Sequence, residues 1–160
     1  MPSVLIKELT KRNQTIVFAE SCTGGLLSSS LTSISGSSKV FQGSIVSYSN
    51  ELKNSLLNIS EEKLTKYGAV SEEVCEAMAL NVKEKLGADW AIAISGIAGP
   101  NGGSPDKPVG LVHISISGPN NHKTNIKKIF NSTRNRIEIQ TLSVNVCLNS
   151  LRLILLSNSK

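Results

Sequence analysis

The sequence predicts an α/β fold: a three-layer αβα sandwich around a mixed, mostly parallel sheet, closed by a C-terminal helix. Three observations carry this. Short apolar runs bounded by turn residues recur at QTIVF 14–18, FQGSIVSY 41–48 and DWAIAIS 89–95. Segments with helical periodicity stand between them. Two later segments that read as strands, 109–117 and 122–130, flank Gly118-Pro119-Asn120-Asn121, a hairpin signal that adds antiparallel strands.

The elements follow in order. Residues 3–12 read as a short helix with Val4, Leu5 and Leu9 on one side. After strand 14–18, AESCTGG at 19–25 opens a helix of small residues running to about 34. Asn50 can cap a helix over 51–57, with Glu51 in its first turn. Ser60 starts another short helix that Gly68 ends. Ser71, followed by Glu72 and Glu73, caps a longer helix to about 86, whose buried face reads Val74, Ala77, Met78, Val82 and Leu86. Residues 96–108 form a loop rich in Gly and Pro. The last helix, 134–156, carries Ile137, Thr141, Val144, Leu148, Leu151 and Leu155 at alternating steps of four and three. No repeat or long linker divides the chain, so residues 1–160 read as one domain.

Composition narrows the function. The apolar fraction of 39% is that of a folded chain. Cys22, Cys75 and Cys147 are odd in number and widely spaced, which suits reduced thiols rather than a disulfide or zinc framework. No leader core and no run long enough to span a bilayer stands out, so the expected location is cytoplasmic, with no membrane partner. The net charge of +5 is uneven. Residues 50–89 hold eight acids against five bases, and residues 122–160 hold seven bases against one acid. No aromatic residues interleave with those bases, which argues against a nucleic-acid platform and suits a small anionic substrate. A homo-oligomer is compatible with all of this.

Chemistry concentrates in four segments. In AESCTGG a strand ends, Ser21 follows, and Gly24 and Gly25 lead into a helix. The amides from Cys22 and Thr23 to Gly25 can meet a developing oxyanion, and the glycines let a ligand approach the backbone. The pattern fits a nucleophile and a plain helix cap equally. In YSNELK at 48–53, Tyr48 and Lys53 can lean over the same sheet edge, the phenol relaying a proton from Ser21 to a desolvated amine. Most lysines are solvated, so composition alone would leave Lys53 on the surface. His113 and His122 are poor bases, one inside an apolar strand and the other beside a turn. In SGIAGPNGG at 95–103, Ser95 and Gly96 open a loop that can form a pocket wall. In FNSTRNR at 130–136, Arg134 can hold a phosphate at the start of the last helix. No metal-ligating or dinucleotide motif occurs, and the chemistry calls for no cofactor.

Together AESCTGG, GSIVSYSNELK, YGAVSEEV at 67–74, SGIAGPNGG, KPVG at 107–110 and FNSTRNR resemble the CinA C-terminal domain family, the PncC-type nicotinamide-nucleotide amidases. The resemblance implies the αβα sandwich and hydrolysis of nicotinamide mononucleotide to nicotinic acid mononucleotide and ammonia. It implies Ser21 as nucleophile and Tyr48 and Lys53 as its base system; Arg134 matches a family Arg, and Asn50 and Arg134 are candidate substrate contacts. Two arginines common after the family's Arg are replaced here by Glu138 and Ile139. The chain resembles the family's stand-alone form. Two competing readings stand beside this one. One makes Cys22 the nucleophile; the other is a non-catalytic nucleotide-binding or competence- and DNA-damage-associated module.

Overall fold

A computed structural model describes residues 2–157. Six helices, α1 (Pro2–Arg12), α2 (Leu26–Thr32), α3 (Asn50–Leu57), α4 (Glu61–Tyr67), α5 (Glu72–Leu86) and α6 (Arg136–Ser157), surround five strands. The strands are β1 (Ile16–Glu20), β2 (Phe41–Val46), β3 (Trp90–Gly96), β4 (Leu111–Ser117) and β5 (Lys123–Ile129). They form one sheet in the order β2-β1-β3-β4-β5. β1 runs parallel to β2 and β3, while β3–β4 and β4–β5 are antiparallel. The predicted mixed sheet and hairpin are therefore both present. Because β2 and β3 flank β1, the chain steps from β1 outward to β2 and then crosses back past β1 to β3 on its other side. The crevice at its carboxyl end is the switch point where open α/β sheets bind ligands. Ser21 follows β1 there.

Side-chain alternation builds the layers. Phe18, Ile92, Ile94, Ile114 and Ile116 face α1, α2 and α6 in one core. Val17, Ala19, Ala91 and Ala93 face Val74, Met78 and Val82 of α5 in the other. The alanines let α5 lie close against the middle of the sheet. Two details differ from the sequence reading. Leu86 is 38% exposed, and Ile137 is 72% exposed, while Ile139, Ser143 and Cys147 are buried on α6. The phase of α6 is set at its start by Asn135 and Glu138. The Asn135 side chain accepts from the Glu138 amide at 2.9 Å and the Glu138 carboxylate accepts from the Asn135 amide at 2.8 Å, a reciprocal cap. The helix thus begins at Arg136 rather than Arg134. At 22 residues with a mean hydropathy of 1.4, α6 is by length and composition long and apolar enough to cross a membrane, contrary to the sequence reading. Leu148, Leu151 and Leu155 nonetheless pack into the core it shares with α1 and the sheet.

The turn after β1 is organised by Glu20, a fully buried carboxylate. It accepts from the amides of Gly25 and Leu27 at 3.0 Å and Ser28 at 2.9 Å. It also accepts from the hydroxyls of Thr23 at 2.7 Å and Ser28 at 2.6 Å. These are the otherwise orphaned donors at the start of α2, and a negative charge suits that end of a helix. Gly24 and Gly25, at φ of 57° and 106°, supply the left-handed turn that brings the amides round. Glu20→Gln replaces an acceptor oxygen by a donor in a buried cluster of donors. It should destabilise the protein by about 3 kcal/mol, read from the urea unfolding midpoint.

Candidate active site

The same alternation that sends Glu20 toward α2 sends Ser21 to the opposite face, toward α3. There Lys53, 1% exposed, places its ammonium nitrogen 2.9 Å from the Ser21 hydroxyl oxygen. Lys53 Nζ also donates to the carbonyl of Ser47 at 2.7 Å and approaches that of Tyr48 at 3.5 Å. α3 puts the amine there because Ser49, not Asn50, caps it, its hydroxyl accepting from the Leu52 amide at 3.1 Å. Among the described residues no carboxylate pairs with Lys53. Burial without a counter-charge disfavours the ammonium and pushes its pKa below the ordinary lysine value.

Ser21, Lys53, Ser95 and Gly96 meet in one cavity of about 230 Å³. Its walls are Ala69 and Val70 on one side and Ile97 to Gly99 on the other, with Tyr48 and Arg136 at the mouth. That volume lies below the range of about 300–1,000 Å³ usual for drug-sized ligands. It suits one ring with its reacting group, the rest of a ligand lying along the mouth. Ser95 donates its hydroxyl to the Ala69 carbonyl at 2.7 Å, so it holds a wall and does not face Ser21 as a partner.

Four expectations are corrected. The Tyr48 phenol does not stand between Lys53 and Ser21: Tyr48 is 57% exposed and its hydroxyl accepts from Arg136. Asn50 is exposed and lines a different groove, beside Glu51, Asn54 and Glu61. Arg134 is outside the cavity, its guanidinium 4.0 Å from the Glu138 carboxylate. Arg136 occupies the mouth instead, donating to the Gly99 carbonyl at 2.8 Å. The turn amides are partly committed. That of Gly25 goes to Glu20 and that of Gly24 to the Ser21 carbonyl at 3.1 Å, and Thr23 spends its hydroxyl on Glu20. The amides of Cys22 and Thr23 have no acceptor among the described residues. These two are the turn donors left uncommitted.

Cys22 also bounds the cavity, but its thiol is buried in the α2–α6 core and burial pushes its pKa up to about 12. A thiol held neutral in this way is a poor nucleophile. His113 and His122 lie outside the cavity. The sequence reading missed Glu20 and Arg136. An acid closing a buried strand just before a helix start signals the first, and the Asn135-x-x-Glu138 cap, which fixes where α6 begins, signals the second.

The folded pKa of Lys53 is lowered, so between it and the unfolded value of about 10.4 the unfolded chain holds more protons. Stability gained from this group therefore rises with pH and is lost as pH falls through that window. Urea unfolding should show the wild type gaining stability relative to Lys53→Met as pH rises toward the unfolded lysine value of about 10.4, with no such trend if the amine titrates normally.

Comparisons with known proteins agree with this architecture. The family model described as CinA C-terminal domain matches residues 1–155. A CinA-like protein of Prochlorococcus marinus (strain AS9601) is 91% identical over 160 residues, covering all of this chain and 38% of that protein. A CinA-like protein of Gloeothece citriformis is 48% identical over 152 residues, covering 95% of this chain and 36% of its own length. This chain thus spans well under half the length of these relatives. Among solved structures, the competence/damage inducible protein CihA from Agrobacterium tumefaciens superposes with a TM-score of 0.93 at 37% identity, covering 96% of this chain and 92% of that one. A competence-damaged protein (CinA) superfamily protein from Escherichia coli gives 0.89 at 30% identity, covering 97% and 87%. With the family model matching nearly every residue, the chain belongs to the CinA C-terminal domain family.

Proposed function

We propose that this protein hydrolyses the carboxamide of nicotinamide mononucleotide, giving nicotinic acid mononucleotide and ammonia. The observation that carries the reading is the direct contact between a buried, unpaired amine and a serine hydroxyl in a cavity at the sheet switch point. A lysine whose pKa is depressed by burial is neutral more often near physiological pH and can act as a general base. Lys53 takes the Ser21 proton as Oγ attacks the carboxamide carbon. The amides of Cys22 and Thr23 stabilise the tetrahedral oxyanion. Lys53 then returns the proton to the departing ammonia. Water, deprotonated by the same amine, attacks the acyl-enzyme and restores Ser21. No phenol is needed between base and nucleophile. Tyr48 instead steadies Arg136, and Arg136 holds the substrate phosphate at the mouth as a charge-assisted contact.

The test is ammonia release from nicotinamide mononucleotide by the purified protein, with free nicotinamide as comparison. Ser21→Ala should lose activity by at least about a thousandfold while keeping its thermal midpoint; turnover within tenfold of wild type would remove Ser21 from the mechanism.

The two arginines separate cleanly. Arg136→Ala should raise KM by tenfold or more, since a hydrogen bond to a charged group contributes about 1.5–3 kcal/mol. Arg134→Ala should change kcat/KM by less than about twofold, as expected for an exposed ion pair.

A further inference from the structure

The connection between α4 and α5 is held by side chains. Three consecutive carbonyls, those of Tyr67, Gly68 and Ala69, each accept from a side chain. Lys107 Nζ donates to Tyr67 at 2.6 Å, the Ser71 hydroxyl to Gly68 at 2.8 Å, and the Ser95 hydroxyl to Ala69 at 2.7 Å. Ala69 and Val70, which follow, form one wall of the cavity. Ser71 is local to the ledge and Ser95 rises from the sheet beneath it. Lys107 alone reaches across from the loop after β3, the segment that forms the opposite wall.

The contact is well founded chemically. Tyr67 ends α4, and the last carbonyls of a helix lack partners within it. An ammonium there completes a hydrogen bond and meets the negative end of the helix. Gly68 is shaped for the crossing: a Cβ at this position would come within 2.8 Å of Lys107 Nζ, and its φ of 77° already disfavours other residues. Lys107 has no salt-bridge partner among the described residues to draw it away. Its own loop is closed beneath it, Ser104 donating its amide to the Lys107 carbonyl at 2.8 Å and accepting the Lys107 amide at its hydroxyl at 3.1 Å. Arg136 pins the far end of the same wall through the Gly99 carbonyl.

We infer that Lys107 is a positioning residue that ties the Ala69–Val70 ledge to the 96–108 loop and so fixes the width of the slot receiving the flat heteroaromatic carboxamide. This rests on the amidase reading for its substrate but not for its mechanics. Lys107 touches no reacting atom. Without its tether the ledge should move away from the Gly96–Gly99 wall, and the ring should be held less well while Ser21 and Lys53 keep their contact.

The experiment compares wild type, Lys107→Met and Lys107→Arg in the full chain. Steady-state ammonia release from nicotinamide mononucleotide should show KM raised about tenfold in Lys107→Met with kcat within about threefold. Amide hydrogen exchange at Gly68 and Val74, which bound the ledge, should quicken in the same variant. Lys107→Arg, which keeps a cationic donor, should recover both. The inference is overturned if exchange at the ledge is unchanged in Lys107→Met, or if kcat falls with KM unmoved. Should the wild type release no ammonia, the amidase reading fails by itself, and the exchange comparison still decides the tether.

Discussion

Everything at the site depends on a buried carboxylate at the end of a strand. Taking Glu20 out of water costs several kcal/mol unless its oxygens are fully occupied. Five donors from the turn and the first residues of α2 occupy them. These donors are the groups a helix start otherwise leaves unpaired, so each side answers the other's unmet demand. The geometry that results is tight. The chain must reverse between residues 20 and 28, with two glycines in left-handed conformations, and Ser21 stands at the start of that reversal. Because neighbouring residues on a strand point to opposite faces, the carboxylate that anchors the turn and the Ser21 hydroxyl are kept on opposite sides of the sheet. The anchor's negative charge thus stays on the far face from Lys53, where a direct contact would favour the ammonium.

Lys53 is the converse case. It is as buried as Glu20 yet has carbonyls and a hydroxyl around it rather than an opposite charge. A protein selected only for stability would pair this amine or replace it. An amine buried without a counter-charge beside Ser21, at the switch point, is the local energetic cost on which the proposed role of Lys53 rests. The Ser47 carbonyl and the cap on α3 fix where the nitrogen sits, so the amine's position is set by backbone and not by a mobile loop.

Much of this was legible in the sequence, and the boundary of legibility has physical causes. Strands and helices could be read because burial imposes a period on each, whereas the order of the strands in the sheet came only with the structure. Ser21 and Lys53 could be picked out because a strand end, a glycine pair and a helix start limit where side chains go. Tyr48 and Arg134 went astray for different reasons. Tyr48 lies just past the end of β2, where alternation no longer constrains direction, and its phenol turns out to meet Arg136. The sequence reading of Arg134 assumes that α6 opens there; a reciprocal cap at Asn135, one residue later, starts the helix at Arg136 and brings that side chain to the mouth. The same shift explains why Ile139 is buried and Ile137 is not.

Glu138 makes the last step clear. Against the family pattern it looks like the loss of an arginine, and so like a weakened anion site. In the folded chain it closes the cap with Asn135 and lies within reach of the Arg134 guanidinium. An acid in the first turn favours the helix, while the cation at the cavity mouth is supplied from position 136. The mouth thus carries a cation although position 138 holds an acid. A motif that compares residues position by position registers a deficit at 138, whereas the capping geometry accounts for the acid there.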